Sequence, residues 1–191
     1  MGESYERMAD AVLRALVADG FEGISVRRVA ALAGVSIGAV QHHFPTKDAM
    51  LGAAMDLAGD RFRARLVERI SPDMPAAEQL AELAVALISA DDRDISVTWL
   101  LRLARAAVDE PTAARHRADW LAIEDLVRRT IAVAAPALDD RAAAVELLAL
   151  LDGLACSVAV EPDRVSGAYA ESIARSHVAR LLAQSRDSSS R

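Results

Sequence analysis

Gln41, His42 and His43 are the three adjacent side chains with the widest chemical range in this sequence. A glutamine amide can form paired hydrogen bonds to adenine, and an imidazole can contact a base edge or a phosphate, bind a metal ion or act as a base. Neighbouring residues on a helix point about 100° apart, and no Asp, Glu or Cys lies within the ten residues before the histidines. This isolation argues against a metal pair or a catalytic base and favours an anionic partner.

The charge distribution around these residues supports the same interpretation. The whole chain carries a formal net charge of -6 and has a pI near 5.2, which argues against a protein that coats nucleic acid without regard to sequence. Between Gly23 and Lys47, however, there is no Asp or Glu, whereas Arg27, Arg28 and Lys47 are positive. This window is therefore the candidate anion-facing surface.

Two short helices separated by a tight turn are predicted to hold this surface. Ser25 and Ser36 are suited to cap the starts of the two helices, and Gly34 supplies the left-handed conformation of the turn. Ala30 is small where the two helices cross. The apolar contacts that fix the crossing are expected from Val29, Val35 and Val40. Such a helix-turn-helix presents its second helix to the major groove of DNA.

The second of these helices is predicted to contact base edges. On this helix, the side chains that are not needed for packing are Ile37, Ala39, Gln41, His42 and His43. Ile37 and Ala39 can touch a thymine methyl group, and Gln41 can pair with adenine. Contacts to backbone phosphates would position the helix without specifying the sequence. The residues placed to make them are Arg27, Arg28, Thr46 and Lys47.

Residues 4–51 resemble the TetR-type helix-turn-helix domain. The signature of that family begins with a helix followed by Gly-Phe-x-Gly-x-Ser, which is Gly20 to Ser25 here. It continues with Val-Ala-x-x-Ala-Gly-Val-Ser-x-Gly-x-Val, which is Val29 to Val40, and closes with an aromatic-rich segment before Phe-x-x-Lys, which is His42 to Lys47. All three segments are in register, so the resemblance is specific.

The resemblance implies roles for particular residues. Ser25, Arg27 and Lys47 correspond to phosphate contacts, and Ser36 to His43 correspond to the recognition helix. The family usually has a tyrosine at the position of Gln41, and that tyrosine donates to a phosphate. Both a base and a phosphate therefore remain open as the partner of Gln41.

Helical periodicity continues through the rest of the chain, and no segment alternates like a strand, so the expected fold class is all-α. Periodicity predicts nine helices, the number that the resemblance also implies. The first runs from about Ser4 to Asp19, two short ones follow, and the fourth ends near Ile70. The later five are predicted at about 75–90, 94–108, 112–134, 139–160 and 164–184. We expect a DNA-binding domain at 1–52, a ligand-sensing and dimerisation domain at 53–184 and a disordered tail at 185–191.

The C-terminal half is predicted to enclose a ligand site. The resemblance implies that helices 5 to 7 surround a cavity, and Leu151 to Ala155 resemble a segment of BetI-type regulatory domains. The candidate lining residues are Trp99, Leu103, Trp120, Ile123, Leu148 and Asp152. Either tryptophan could instead fill the core, and Asp152 could face the cavity, a partner subunit or water. The scarcity of aromatic residues beyond residue 65 argues against an aromatic cage for a quaternary ammonium such as choline.

Helices 8 and 9 are expected to pair between two subunits, as the resemblance implies, because they carry more apolar surface than one bundle needs. Small residues such as Gly153 allow helices to approach closely. The candidate interface residues are Val145, Ala155, Ala159, Ile173, His177 and Leu181. A two-fold homodimer of this kind predicts a palindromic operator in double-stranded DNA.

Together these features predict a sequence-specific transcription regulator, a repressor that a small, mostly apolar ligand releases from its operator. An alternative keeps the fold and makes the C-terminal half a platform for protein contacts, with no small-molecule inducer. No catalytic constellation is readable, and the single Cys156 offers neither an internal disulfide nor a metal site. We therefore expect no enzyme activity, no cofactor and no metal.

The sequence also favours a cytoplasmic location. Glu3 and Glu6 stand where a secretory signal would be basic, and no apolar segment of the required kind follows them. The richest apolar stretch, residues 145–160, is interrupted by Glu146 and Asp152 and falls short of the roughly 20 residues that a bilayer span needs. We expect a buried helix there and no membrane partner.

Overall fold

Alanine, leucine and arginine are the commonest residues of the chain, and all three have high helix propensity. The computed structural model describes the backbone of residues 2–188 and the side chains of residues 2–185, and this part of the chain contains nine α-helices and no strand. The helices are α1 (Glu3–Asp19), α2 (Val26–Ala33), α3 (Ile37–His43), α4 (Lys47–Arg69), α5 (Ala76–Ile88), α6 (Arg93–Ala106), α7 (Glu110–Ala134), α8 (Asp140–Val160) and α9 (Gly167–Ser188). The predicted all-α, nine-helix fold is confirmed.

Hydroxyl side chains cap the starts of the three helices that follow α1. Ser25 accepts a hydrogen bond from the backbone N–H of Arg28 at 3.2 Å, and Ser36 accepts one from that of Ala39 at 3.1 Å. Thr46 does the same for α4, at 3.0 Å from the nitrogen of Ala49. Each cap satisfies a backbone donor that has no partner within its helix, so the three helix starts are defined locally.

Two glycines end the first two helices. Gly20 and Gly34 both have a φ of 67°, in the region that costs other residues free energy. Gly34 closes α2 in the left-handed conformation, and the next amide, that of Val35, donates to the carbonyl of Ala30 at 3.0 Å. A 3₁₀ helix at Phe21–Gly23, which periodicity did not predict, follows Gly20. The tight turn between α2 and α3 is therefore present as predicted.

A first hydrophobic core joins α1 to α4. Met8, Val12 and Leu16 of α1 are fully buried, and so are Val29 and Val40, which hold α2 and α3 together. The same core includes three residues of α4 beyond the predicted domain boundary at 52. These are Ala53, Ala54 and Ala58. The reason is that α4 runs without a break from its first turn into the C-terminal half.

A second hydrophobic core lies among α5, α7, α8 and α9. Buried leucines of α5 and α8 dominate it, with Leu80, Leu147 and Leu151 among the most enclosed. Among the described residues α8 is the one helix whose length and composition would suffice to cross a bilayer. In the structure, α8 packs between α7 and α9, with Ala144 buried as well, as expected for a core helix.

The last helix differs from its predicted limits. It begins at Gly167 instead of 164 and continues to Ser188 instead of 184. The disordered tail predicted from residue 185 is therefore wrong for residues 185–188, whose backbone is helical. Ser185 is only 5% exposed, so packing against the bundle carries the helix beyond the point where the sequence turns polar. Residues 189–191 of the predicted tail lie outside the described residues.

Candidate DNA-binding surface and ligand cavity

The outer side of α3 presents the side chains that the sequence assigned to base contact. Gln41, His42 and His43 are exposed, and Ile37 is 47% exposed, although isoleucine is usually buried. Ala39 is half-buried. The inner side of the helix is anchored by Val40, which no solvent reaches. The structure thus separates a packing side and an outward side on this short helix.

The two histidines differ in their surroundings. The ring of His43 lies 6.0 Å from that of Tyr5 in an edge-to-face arrangement, and the Tyr5 ring lies 5.3 Å from that of Phe44. Among the described aromatic rings, that of His42 pairs with that of His43 alone, at 5.3 Å. His43 is therefore positioned by α1, whereas His42 is the freer of the two. The contact of Tyr5 with α3 was not predicted from the sequence.

Exposed hydroxyl and cationic residues flank α3 on both sides. They are Ser25, Arg27, Arg28, Ser36, Thr46 and Lys47. The serine and threonine oxygens accept hydrogen bonds as helix caps, so each hydroxyl hydrogen stays free to donate. Arg28 forms an ion pair with Asp19, and both side chains are about half exposed. This pair was not predicted, because Asp19 precedes the acid-free window.

A cavity of about 330 Å³ lies between α4 and the helices α5 to α8. Of the six predicted lining residues, the structure brings together Trp99, Trp120, Ile123 and Asp152. It does not bring Leu103 or Leu148 to the cavity. Leu103 is 38% exposed at the surface, and Leu148, one turn before Asp152 on α8, is buried in the second core.

One wall of the cavity comes from α4, which the prediction had left out. Met55, Gly59, Phe62 and Leu66 follow one another at helical spacing and all line the cavity. This spacing was the signal in the sequence that could have found them. Ala155, predicted at the dimer interface, also lines the cavity. Other lining residues that sequence analysis missed include Arg63, Leu87, Thr98, Arg102, His116, Asp119 and Leu126.

Most charged groups at the cavity are already neutralised by a neighbour. Arg102 donates to Asp119, its partner across α6 and α7. Burial, and then the charge of Arg102, lower the pKa of His116, whose ring stacks on Trp120 with centroids 5.9 Å apart. Asp152 differs, because burial alone raises its pKa to about 6. Its carboxyl forms no ion pair with any residue whose side chain is described.

The predicted dimer residues fall into three environments. Val145 is half exposed, and Ala159, Ile173 and His177 are partly buried. Leu181 is 6% exposed and packs into the second core, so its side chain is unavailable to a partner, and Ala155 is 5% exposed at the cavity. Both assignments are corrected for the same reason. A helical stripe does not reveal which of its members face the subunit's own core.

Comparison with known proteins identifies the two halves of the chain. Residues 9–54 match the family model described as bacterial regulatory proteins, tetR family, and residues 75–183 match the model described as BetI-type transcriptional repressor, C-terminal. The HTH-type transcriptional regulator BetI of Burkholderia mallei is 30% identical over 184 residues, covering 93% of this chain and 92% of that protein.

Solved structures agree with this family. A transcriptional regulator from Rhodococcus sp. Rha1 has a TM-score of 0.83 and 31% sequence identity, with 94% of this chain and 96% of that chain covered. The multidrug binding protein EbrR, complexed with malachite green, has a TM-score of 0.67 and 30% identity, with 94% and 98% covered. The exposed recognition helix, the match over both halves and these likenesses lead to one conclusion: the chain belongs to the tetR family of bacterial regulatory proteins and is a DNA-binding transcriptional regulator of the repressor type, not an enzyme.

Proposed function

We propose that this regulator represses transcription as a homodimer on a palindromic operator, and that a small, mostly apolar ligand releases it. The observation that carries the proposal is that one helix, α4, begins beside the recognition helix and also forms a wall of the cavity. Lys47 is its first residue, and Phe62 lines the cavity four turns later. A ligand that displaces this wall would therefore move the DNA-binding end of the same helix.

The binding mode follows from the surface around α3. One recognition helix of each subunit would enter the major groove, with half-sites one turn apart centred roughly 34 Å from each other. Ile37, Gln41 and His42 would contact base edges. The phosphates on either side would be held by Arg27 and Lys47, neither of which forms an ion pair among the described side chains. Arg28 would first have to leave Asp19.

The partly exposed residues of α8 and α9 are the proposed subunit contact. Val145, Val160 and Tyr169 are each at least half exposed, an unusual amount for large apolar or aromatic side chains. Two-fold pairing of these helices would cover them and would orient the two recognition helices symmetrically. We place the protein in the cytoplasm, where an operator is accessible.

The cavity favours ligand control over a platform for protein contacts. Its volume of about 330 Å³ lies within the range of small-molecule sites. A bundle packed solid between α5 and α8 would have favoured the platform. The structural relative EbrR is a multidrug binding protein with malachite green bound, which supports the use of this cavity for a ligand. The ligand must bind the released state more tightly than the DNA-bound state, because otherwise it shifts nothing.

Selection from a random duplex library tests the DNA-binding half of the proposal. We expect the selected duplexes to share a palindrome and to bind far more tightly than unrelated DNA at moderate ionic strength. A gel-shift series with the selected duplex and increasing malachite green then tests release. Recovery of a non-palindromic site would contradict the homodimer. If neither malachite green nor a broad library of small molecules releases the duplex, ligand control is contradicted in favour of the platform.

A further inference from the structure

The cavity has one charge that the protein leaves uncompensated. Both arginines that line it are occupied, Arg63 by Asp60 and Arg102 by Asp119. Asp152 lies on α8 at the same cavity and has no ion-pair or hydrogen-bond partner among the described side chains. A carboxylate withdrawn from water without a partner is costly, which favours a cation that would supply the missing charge.

A second polar group at the cavity also lacks a partner. Thr98 of α6 lines the cavity and is 2% exposed, and its Oγ1 forms no hydrogen bond with any described residue. A buried hydroxyl without a hydrogen-bond partner destabilises the protein. The hydroxyl oxygen can accept a hydrogen bond from a donor that enters the cavity. Thr98 therefore points to a ligand that carries N–H or O–H groups.

The remaining walls suit the apolar body of such a ligand. Phe62, Trp99 and Trp120 line the cavity together with aliphatic side chains. His116 stacks on Trp120, and its lowered pKa keeps the imidazole neutral at pH 7, so it does not compete for Asp152 as a cation. The aromatic rings can also attract a positive charge that approaches their faces.

We propose that this cavity binds a hydrophobic amine in its protonated form, with Asp152 as the anionic anchor and Thr98 as an acceptor for an ammonium N–H. The assignment of this amine as the inducer rests on the proposed function, whereas its binding does not. An anionic ligand is disfavoured because both arginines are occupied. A quaternary ammonium would satisfy Asp152 by charge alone and would leave Thr98 without a donor.

Tryptophan fluorescence provides a direct measurement, because the two tryptophans of the chain, Trp99 and Trp120, both line the cavity. The full-length protein without DNA is titrated at pH 7.5 with four probes that share one skeleton: phenylbutylamine, phenylbutyltrimethylammonium, phenylbutanol and phenylbutyrate. We expect phenylbutylamine to bind most tightly and phenylbutyrate most weakly.

Two near-isosteric variants locate the contacts. Asp152→Asn should weaken phenylbutylamine binding about tenfold or more, and Thr98→Val should weaken it about fivefold, in line with the net worth of charged and neutral hydrogen bonds. Neither variant should change phenylbutanol binding as much. The matched control is Asp163→Asn, an exposed carboxylate outside the cavity, which should change nothing.

Three outcomes would overturn the inference. They are equal binding of phenylbutylamine and phenylbutanol, binding of phenylbutyltrimethylammonium as tight as that of phenylbutylamine, and unchanged phenylbutylamine binding to Asp152→Asn.

A gel shift with the selected operator distinguishes failure of the amine site from failure of the proposed function. If the amine binds through Asp152 but leaves the operator complex intact, ligand release by amines fails and the amine site stands. If phenylbutylamine does not bind but neutral or anionic compounds release the operator, the amine site fails and ligand control stands.

Discussion

Arg105 of α6 donates to Asp48 in the first turn of α4, with 2.8 Å between Nη2 and Oδ1. This contact connects the cavity to the candidate DNA-binding surface, because Arg102, one turn earlier on α6, lines the cavity. Asp48 directly follows Lys47, a proposed phosphate contact. The hydrogen bond with Asp48 raises the pKa of Arg105, partly offset by burial, so the guanidinium stays charged at all relevant pH values.

Replacement of Arg105 by Ala should weaken the coupling between ligand and DNA more than it weakens the fold. Asp48 is 76% exposed, so the ion pair should contribute at most about 1 kcal/mol to the free energy of unfolding. We expect an operator affinity close to that of the parent protein and a several-fold higher ligand concentration for half-release. Gel-shift titrations with ligand measure both quantities. The control is Arg129→Ala, which removes an exposed ion pair with Asp125 on α7, outside the cavity lining. Identical release curves for the parent and Arg105→Ala would contradict this link.

Phosphate contacts and base contacts should respond differently to mutation. Arg27→Ala and Lys47→Ala should each weaken binding to all duplexes and reduce the slope of log affinity against log salt by about one. Ile37→Ala and His42→Ala should instead change which bases are preferred. Fluorescence anisotropy at several salt concentrations, combined with a set of single-base operator variants, distinguishes the two effects. Uniform losses on every duplex from all four changes would contradict this division of roles.

The turn between α2 and α3 should tolerate only glycine well. At Gly34 a Cβ atom would meet no neighbour within 4 Å, but the φ of 67° is unfavourable for any other residue. Gly34→Ala should therefore cost about 1 kcal/mol of unfolding free energy through the backbone alone. Gly52→Ala provides the matched control, since it also meets no atom within 4 Å and lies inside α4, where alanine should stabilise by about 0.5–1 kcal/mol. Urea unfolding would refute the argument if both changes had the same sign.

The carboxyl of Asp152 should make stability depend on pH. Burial raises its pKa from 3.8 to about 6. Between these two pH values the folded state therefore keeps a proton that the unfolded state has already released. The contribution of the Asp152 carboxyl to the free energy of unfolding is therefore greatest below about pH 4 and falls as the pH rises to about 6. With allowance for solvent around the half-buried carboxyl, the loss should be about 1–2 kcal/mol.

Asp152→Asn should accordingly be more stable than the parent protein at pH 8 and equal to it near pH 4. Urea unfolding of both proteins across this range measures the difference. The pKa of His116 is also lowered by burial, but its titration is common to both proteins and cancels when they are subtracted. A difference that stays constant from pH 4 to pH 8 would show that desolvation of Asp152 is not its cause.

Rules that involve only neighbouring residues were sufficient to predict the helix caps and the turn of the DNA-binding half of the molecule. Capping by Ser25 and Ser36 and the left-handed turn at Gly34 involve neighbours a few residues away, so their signals lie within short stretches of sequence. The exposure of Gln41 and His42 follows once Val40 is assigned to the core. The ion pair of Arg28 with Asp19 joins two helices and has no comparable local signal.

The amino-acid sequence by itself determined most of the helices, their caps and the outward side of α3, because these depend on backbone hydrogen bonds and side-chain periodicity within a few turns. Tertiary structure alone decided which apolar residues face one another. It placed Phe62 in the cavity and Leu148 in the core, and it enclosed Asp152 and Thr98 without partners. Helical periodicity marks a buried face but does not specify what lies opposite, since that depends on the packing angles of distant helices.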